Sequence, residues 1–221
     1  MAKTDYAAHD ARYRQLREEG APGWDTADGY REREAEYAWA IDAIDAIGRP
    51  GNRLLELGCG AGNATPWFVE RGFEVTGIDI SPAAIAWANE RGIAGARFVV
   101  GDLVASIPGQ YDIAVDGHCL HCIIGDDRAR FLANVRNALA PGGSFFVATM
   151  CGEITLPKLR ASFDPATRCQ VVDGIAYRYI GDASEILDEV RAAGFEVVAS
   201  TINARKDDND QDNLWAIARK R

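Results

Sequence analysis

Two rhythms of apolar and polar positions divide the chain. Up to about residue 48 the sequence is aromatic and charged, without strand-like alternation. Within that stretch Ala35, Trp39, Ala43 and Ile47 recur at four-residue spacing and predict a helix over 32–47. Pro50-Gly51 breaks the pattern. From Asn52 onward, short apolar runs alternate with helix-like segments. Residues 53–57, 73–78, 97–100, 111–115 and 144–149 read as five strands. Between them, Thr65-Pro66 opens a helix over 65–70, and Ser81-Pro82 supplies the N-cap and first-turn proline of another. A further helix over 126–139 is expected to end at Pro141-Gly142-Gly143.

Alternating strands and helices predict right-handed crossovers and a parallel sheet covered on both faces. The C-terminal part differs. A helix over 182–193 leads to strands over 195–202 and 213–218, joined by the polar, mostly acidic stretch 205–212. Two strands without an intervening helix predict a final antiparallel hairpin at the sheet edge. The expected organisation is an N-terminal helical cap or lid over 1–48 and an α/β domain over 49–221. An insertion near 152–180 follows the fifth strand.

The chain has 221 residues, 48% of them hydrophobic and 26% charged, enough for a substantial core. Its formal net charge of -9 disfavours nucleic acid, because sequence-independent affinity for a phosphate backbone comes from Lys and Arg. Met1 to Tyr6 leads into charged residues, so no secretory leader is expected, and no run is apolar enough to span a bilayer. Five cysteines, an odd number in a chain of this size, read as reduced thiols in a cytoplasmic protein. A monomer and a homodimer are both compatible with the sequence.

Candidate chemistry begins at Glu56-Leu57-Gly58-Cys59-Gly60-Ala61-Gly62-Asn63, a glycine loop between a predicted strand and a predicted helix. Glycines allow a sharp turn and let a ligand lie against bare backbone. In open α/β sheets, ligands bind beyond the carboxyl ends of the strands, where strand order reverses. A dinucleotide site requires Gly-x-Gly-x-x-Gly, but Asn63 stands at the third glycine position. Glu56, just before the loop, would repel a pyrophosphate and attract a cation. S-adenosylmethionine carries a sulfonium and an ammonium group and no phosphate. Asp79 ends the second strand, placed to accept from a ribose diol. Asp102 follows the third strand, placed to accept from the adenine amine, with Ile80 and Leu103 placed to sandwich the purine.

The segments LELGCGAGN at 55–63, GIDIS at 77–81, GDL at 101–103 and LAPGG at 139–143 resemble, in order and spacing, the successive motifs of class I (Rossmann-like) S-adenosylmethionine-dependent methyltransferases. The resemblance covers roughly residues 50 to 150. It implies a doubly wound seven-stranded sheet, mostly parallel with an antiparallel last strand and helices on both faces. It also implies that Glu56, Gly58, Cys59, Gly60, Gly62 and Asn63 serve the methionine end of the cofactor, Asp79 the ribose and Asp102 the adenine.

After the fourth strand comes Asp116-Gly117-His118-Cys119-Leu120-His121-Cys122. Three readings stand side by side. The apolar residues are core and the histidines make local bonds. Alternatively His118 or His121 is a general base or substrate anchor, since imidazole exchanges a proton near neutral pH. In the third, the pairs His118/His121 and Cys119/Cys122 converge on one metal ion, with Cys151 and Cys169 as further candidate ligands. Methyl transfer is an in-line displacement at an activated carbon, so positioning in a dry cavity supplies most of the acceleration and no triad is required. No Asn-Pro-Pro-Tyr-type motif follows the fourth strand, which with the acidic balance favours a small-molecule acceptor. Arg160, Arg168 and Arg178 in the insertion are candidate anchors for an anionic substrate. The alternatives are a non-catalytic S-adenosylmethionine-binding or sensor protein and an NAD-dependent oxidoreductase, the latter disfavoured by Glu56 and Asn63.

Overall fold

The computed structural model describes residues 3–208 and 210–221. Helices α1 (Ala8–Glu18) and α2 (Ala27–Ala46) lead into β1 (Arg53–Leu57), α3 (Thr65–Val69), β2 (Glu74–Asp79), α4 (Pro82–Glu90) and β3 (Ala96–Val100). Strand β4 (Tyr111–Asp116) enters a 3-10 turn at Leu120–Cys122, followed by α5 (Asp127–Ala138) and β5 (Leu139–Met150). The insertion holds α6 (Pro157–Arg160), β6 (Phe163–Asp164), β7 (Cys169–Val172) and β8 (Ile175–Tyr179). Helix α7 (Ala183–Ala192) and strands β9 (Phe195–Asn203) and β10 (Asn213–Lys220) complete the chain.

Seven strands form one sheet in the order β3-β2-β1-β4-β5-β10-β9. Neighbours from β3 to β5 pair in parallel, whereas β10 runs antiparallel to both β5 and β9. The last strand therefore inserts between β5 and the edge strand β9. The direction of winding reverses between β1 and β4, and the loops leaving those two strands carry the glycine loop and the histidines.

Period-two alternation along the strands builds a core on each face. Leu54, Ile113, Phe146 and Ile217 pack with Tyr37, Ala40, Ile41 and Ile44 of α2 and with Phe68 of α3. Their neighbours Leu55, Ala114, Phe145 and Ala216 pack on the opposite face with Phe131, Leu132 and Val135 of α5 and with Ile186 and Val190 of α7. The Ser81 cap forms as the sequence predicts, its hydroxyl accepting from the Ala84 amide, and Asp182 and Glu185 form a capping box at the start of α7.

Three expectations change. The buried face of α2 is Tyr37, Ala40, Ile41 and Ile44, while Ala35 is exposed. Steps of four drift around a helix of 3.6 residues per turn, so the predicted stripe follows the rim of the true face. Helix α1 was not anticipated because it buries only Tyr13 and Leu16 and so carries a thin apolar signal. Pro141-Gly142-Gly143 does not terminate a helix. Helix α5 ends at Ala138, and these residues lie within β5, where the pairing jumps from Tyr111 opposite Leu139 to Ile113 opposite Ser144. The extra residues bulge out of the ladder, with Gly142 at φ 74°.

The insertion folds as a separate three-stranded sheet, β6-β7-β8, joined by a bridge between Lys3 and Ile175. Arg168 ties its neck, donating to the carbonyls of Ile180 and Gly152. Among the described residues no helix is long and apolar enough to cross a membrane. All five cysteines are free thiols.

Candidate active site

The loop after β1 is shaped by backbone that only glycine adopts freely. Gly58 has φ 67° and Gly60 φ 53°. A Cβ at Gly58 would come within 2.9 Å of the Cys119 Cβ, and one at Gly60 within 2.2 Å of the Tyr13 hydroxyl. The amides of Gly58 and Cys59 both donate to the Ile78 carbonyl, stitching the loop to the end of β2.

Asp79 is fixed from two sides. Its Oδ2 accepts from the Gly60 amide and its Oδ1 from the Ser81 amide, both at 2.9 Å. Burial raises its pKa, against the pull of those two amides. Glu56 is 3% exposed, and its Oε2 accepts from the Thr65 hydroxyl at 2.6 Å. Burial pushes the Glu56 pKa up to about 7, opposed by the Thr65 bond and by the Arg33 cation. A positively charged ligand group beside Glu56 would draw it into the ionised form. Asp102 is exposed, and its Oδ1 accepts from the Val104 amide at 2.8 Å, which leaves Oδ2 open. Leu103 is buried and Ile80 partly buried. The Cys59 thiol is buried and raised well above its ordinary pKa by burial, which leaves it a packing group rather than a nucleophile.

Nine of the ten residues that the sequence assigns to the cofactor line one cavity of about 220 Å³. Gly62 is the exception. It sits behind the loop, where a Cβ would meet the Phe98 ring at 2.9 Å, and so permits close helix-to-strand packing. Asn63 does reach the cavity wall, but its Nδ2 donates to the Pro22 carbonyl and tethers the segment between α1 and α2.

His118 and His121 line the same cavity. The Asp116 carboxylate folds the chain after β4 by accepting from the amides of Cys119 and Leu120. His118 sits in this turn at φ 62°, in the left-handed region that non-glycine residues rarely occupy. Its Nε2 lies 3.0 Å from both carboxylate oxygens of Glu36, a buried residue of α2. His121 is 5% exposed, and its Nδ1 has no partner. Burial, then the nearby Arg178 cation, holds the His121 pKa well below its ordinary value, so this imidazole is neutral.

The two rings lie 6.1 Å apart, centroid to centroid. Burial raises the thiols of Cys119 and Cys122, the latter to about 11. Cys151 and Cys169 stand outside the cavity. Among the described residues no three His, Cys, Asp or Glu side chains converge to hold a metal ion.

The roof comes from the N-terminal segment and the insertion. The Asp10 Oδ1 of α1 accepts from the Ser81 hydroxyl and the Ala83 amide, both at 2.8 Å, which latches α1 onto the start of α4. Tyr13 then rests on Gly60 with its ring 5.3 Å from that of Trp24. From the other side, β8 packs against the 3-10 turn and brings Arg178 to the cavity. Sequence reasoning missed Glu36 and Arg33. Glu36 was detectable in principle, since it shares a helix face with Ala40 and Ile44, where a charge needs a partner.

A family profile described as a methyltransferase domain matches residues 30–200. The chain is 33% identical over 104 residues to ribosomal RNA small subunit methyltransferase C of Alcanivorax borkumensis, covering 44% of this chain and 31% of that protein. It is 28% identical over 134 residues to ubiquinone biosynthesis O-methyltransferase of Pseudomonas aeruginosa, covering 58% of this chain and 57% of that one. The chain thus spans about a third to little over half the length of these curated relatives. Among solved structures, Burkholderia thailandensis 1,6-didemethyltoxoflavin-N1-methyltransferase, with bound 1,6-didemethyltoxoflavin and S-adenosylhomocysteine, superposes with a TM-score of 0.67 at 24% identity. That match covers 97% of this chain and 88% of the other, and at this identity it speaks to the fold.

Proposed function

The chain belongs to the methyltransferase-domain family, and from that membership we propose that it transfers a methyl group from S-adenosylmethionine to a small-molecule acceptor through an oxygen, nitrogen or sulfur atom. The observation that carries this reading is convergence. The glycine loop, Glu56, Asp79 and Asp102 share one cavity with His118 and His121. The residues present fit the cofactor: the bare backbone of Gly58 and Gly60 forms a cradle that any Cβ would fill, and the flanking acceptors are carboxylates. Glu56 would face the cationic end, Asp79 the ribose hydroxyls and Asp102 the adenine amine, with Ile80 and Leu103 against the ring. When bound, the cofactor supplies a methyl carbon whose bond to sulfur breaks as the bond to the acceptor forms.

The two histidines divide the remaining work. With His118 donating from Nε2 to Glu36, Nδ1 is the nitrogen left to take a proton from the acceptor, and the carboxylate would stabilise the resulting imidazolium. His121 is held neutral and is a poor base. Its unpartnered Nδ1 suits it to orient the acceptor by a hydrogen bond. This division favours an acceptor with an ionisable O–H or N–H. The net charge of -9 and the roof over the cavity support a small molecule over RNA.

The test is a metabolite screen with radiolabelled methyl donor, run on the wild type and on the His118→Asn variant. Transfer to a low-molecular-weight product, reduced in the variant, supports the reading. S-adenosylhomocysteine binding without transfer to any compound points instead to a sensor protein.

A further inference from the structure

We propose that the acceptor carries a compact anionic group, a carboxylate or similar oxyanion, and that Arg178 is the residue that selects it; this rests on the methyl-transfer reading above. The insertion offers three arginines. The Arg160 Nε donates to the Ile154 carbonyl. Arg168 donates to the carbonyls of Ile180 and Gly152 and lies 3.0 Å from an Asp182 oxygen. Both are occupied in holding the insertion's own backbone.

Arg178 is different. It lies on β8, which packs against the 3-10 turn, and it lines the cavity. Its Nη1 donates to the Gln170 side-chain oxygen at 2.9 Å, a neutral partner that fixes the end of the guanidinium. Its Nε is buried without a partner, and among the described residues no carboxylate lies within salt-bridge distance of it. The free side of the group is therefore the Nε–Nη2 edge, two parallel N–H donors that match the two oxygens of a carboxylate. A buried donor left unpaired is destabilising, and an oxyanion arriving at that edge would relieve that cost.

The charge balance of the cavity isolates this one cation. Arg33, the other arginine on the wall, is paired with Asp25 at 2.5 Å. His118 is paired with Glu36. The carboxylates of Glu56 and Asp79 already accept from Thr65 and from backbone amides. Among the described residues Arg178 has no acidic counterpart, and its near neighbour His121 also presents an unpartnered buried nitrogen. Two unsatisfied polar atoms of complementary kind on one wall describe a subsite for an oxyanion beside a hydrogen-bonding group.

The test saturates the protein with S-adenosylhomocysteine. It then titrates hydroxybenzoates, hydroxyphenylacetates and short hydroxy acids, each against its own primary amide, by calorimetry. At least one acid is expected to bind tenfold or more tightly than its amide. Arg178→Gln is expected to remove that preference and Arg178→Lys to keep part of it, with S-adenosylhomocysteine affinity within twofold of wild type in both. Three results overturn the proposal: no acid outbinding its amide, unchanged acid binding in Arg178→Gln, or loss of S-adenosylhomocysteine affinity on that substitution. The last would assign Arg178 to the cofactor's own carboxylate. If the lysine variant folds as judged by circular dichroism, it decides the matter even where the glutamine variant does not. Failure of the wild type to bind S-adenosylhomocysteine sinks the methyl-transfer reading itself, before any acid is added.

Discussion

His118 and Glu36 meet across 82 positions of sequence, with the imidazole Nε2 3.0 Å from each carboxylate oxygen. One residue sits in a strained turn after β4 and the other on the buried face of α2. Neither position makes chemical sense alone. A carboxylate on an apolar helix face needs a partner, and a left-handed histidine persists only where the surroundings hold it.

The pair predicts a graded loss of turnover. Glu36→Gln keeps the shape and removes the charge, and is expected to lower kcat by about 10- to 100-fold, less than the roughly 100- to 10,000-fold that a positioned base itself supplies. His118→Asn, chosen because asparagine tolerates the left-handed region, is expected to lower it further. S-adenosylhomocysteine affinity should stay near wild type in both. Steady-state kinetics with a confirmed acceptor checks this, and an unchanged kcat in Glu36→Gln leaves the pair a packing role only.

Glu56 predicts a pH dependence of stability. Its pKa is raised from 4.5 to about 7 in the folded protein. Between those values the folded state binds more protons than the unfolded state, so stability falls as pH rises through that window. The slope is at most about 1.4 kcal/mol per pH unit for one group. Asp116, raised to about 6 by burial, adds the same sign at lower pH. Buried His121, held below its ordinary pKa, acts with the opposite sign below about pH 6.5, so the Glu56 contribution is read as the stability of wild type minus that of Glu56→Gln. By chemical denaturation at pH 5, 6 and 7 that difference should fall as pH rises, and a difference independent of pH would contradict the raised Glu56 pKa.

Much of this arrangement was legible in the chain. The strand-helix alternation, the Ser81 cap and the antiparallel end are local patterns, and local patterns survive into the fold. The carboxylates proposed to hold the cofactor lie at or just beyond strand ends and are found by counting from the strands. The partners of Glu36 and Arg33 and the latch at Asp10 were not legible. Each acts through a partner remote in sequence: Glu36 on His118, Arg33 on Asp25 and the cavity wall, Asp10 on Ser81. Helix α1 was missed for the same reason, since its two buried side chains gain their meaning only from α4 and the glycine loop.

Gly60 separates backbone strain from collision. Gly60→Ala places a residue at φ 53° and drives its Cβ against the Tyr13 hydroxyl. Left-handed backbone alone costs about 1–2 kcal/mol. Tyr13→Ala itself removes a buried ring, so the cost of Gly60→Ala is compared in the wild-type and Tyr13→Ala backgrounds, and in the second it should shrink to the backbone strain alone. Thermal unfolding of both single variants and the double variant reads the two contributions, and a Gly60→Ala cost of zero in the Tyr13→Ala background would contradict the assigned strain.

Asp10 is expected to hold α1 closed. Asp10→Ala removes acceptors for the Ser81 hydroxyl and the Ala83 amide. The loss at a helix start is about 1 kcal/mol. Trypsin should then cut at Arg12, Arg14 or Arg17 faster than in wild type, and equal rates would show that other contacts hold the helix.

The glycine loop with its three carboxylates is expected to bind S-adenosylmethionine and not a dinucleotide. The deciding measurement is calorimetric titration with S-adenosylhomocysteine and, separately, with NAD, on the wild type and on Asp102→Ala. One S-adenosylhomocysteine site per chain is expected, tenfold or more weaker in the variant, with no heat from NAD. Binding of NAD, or silence towards S-adenosylhomocysteine in the wild type, would contradict it.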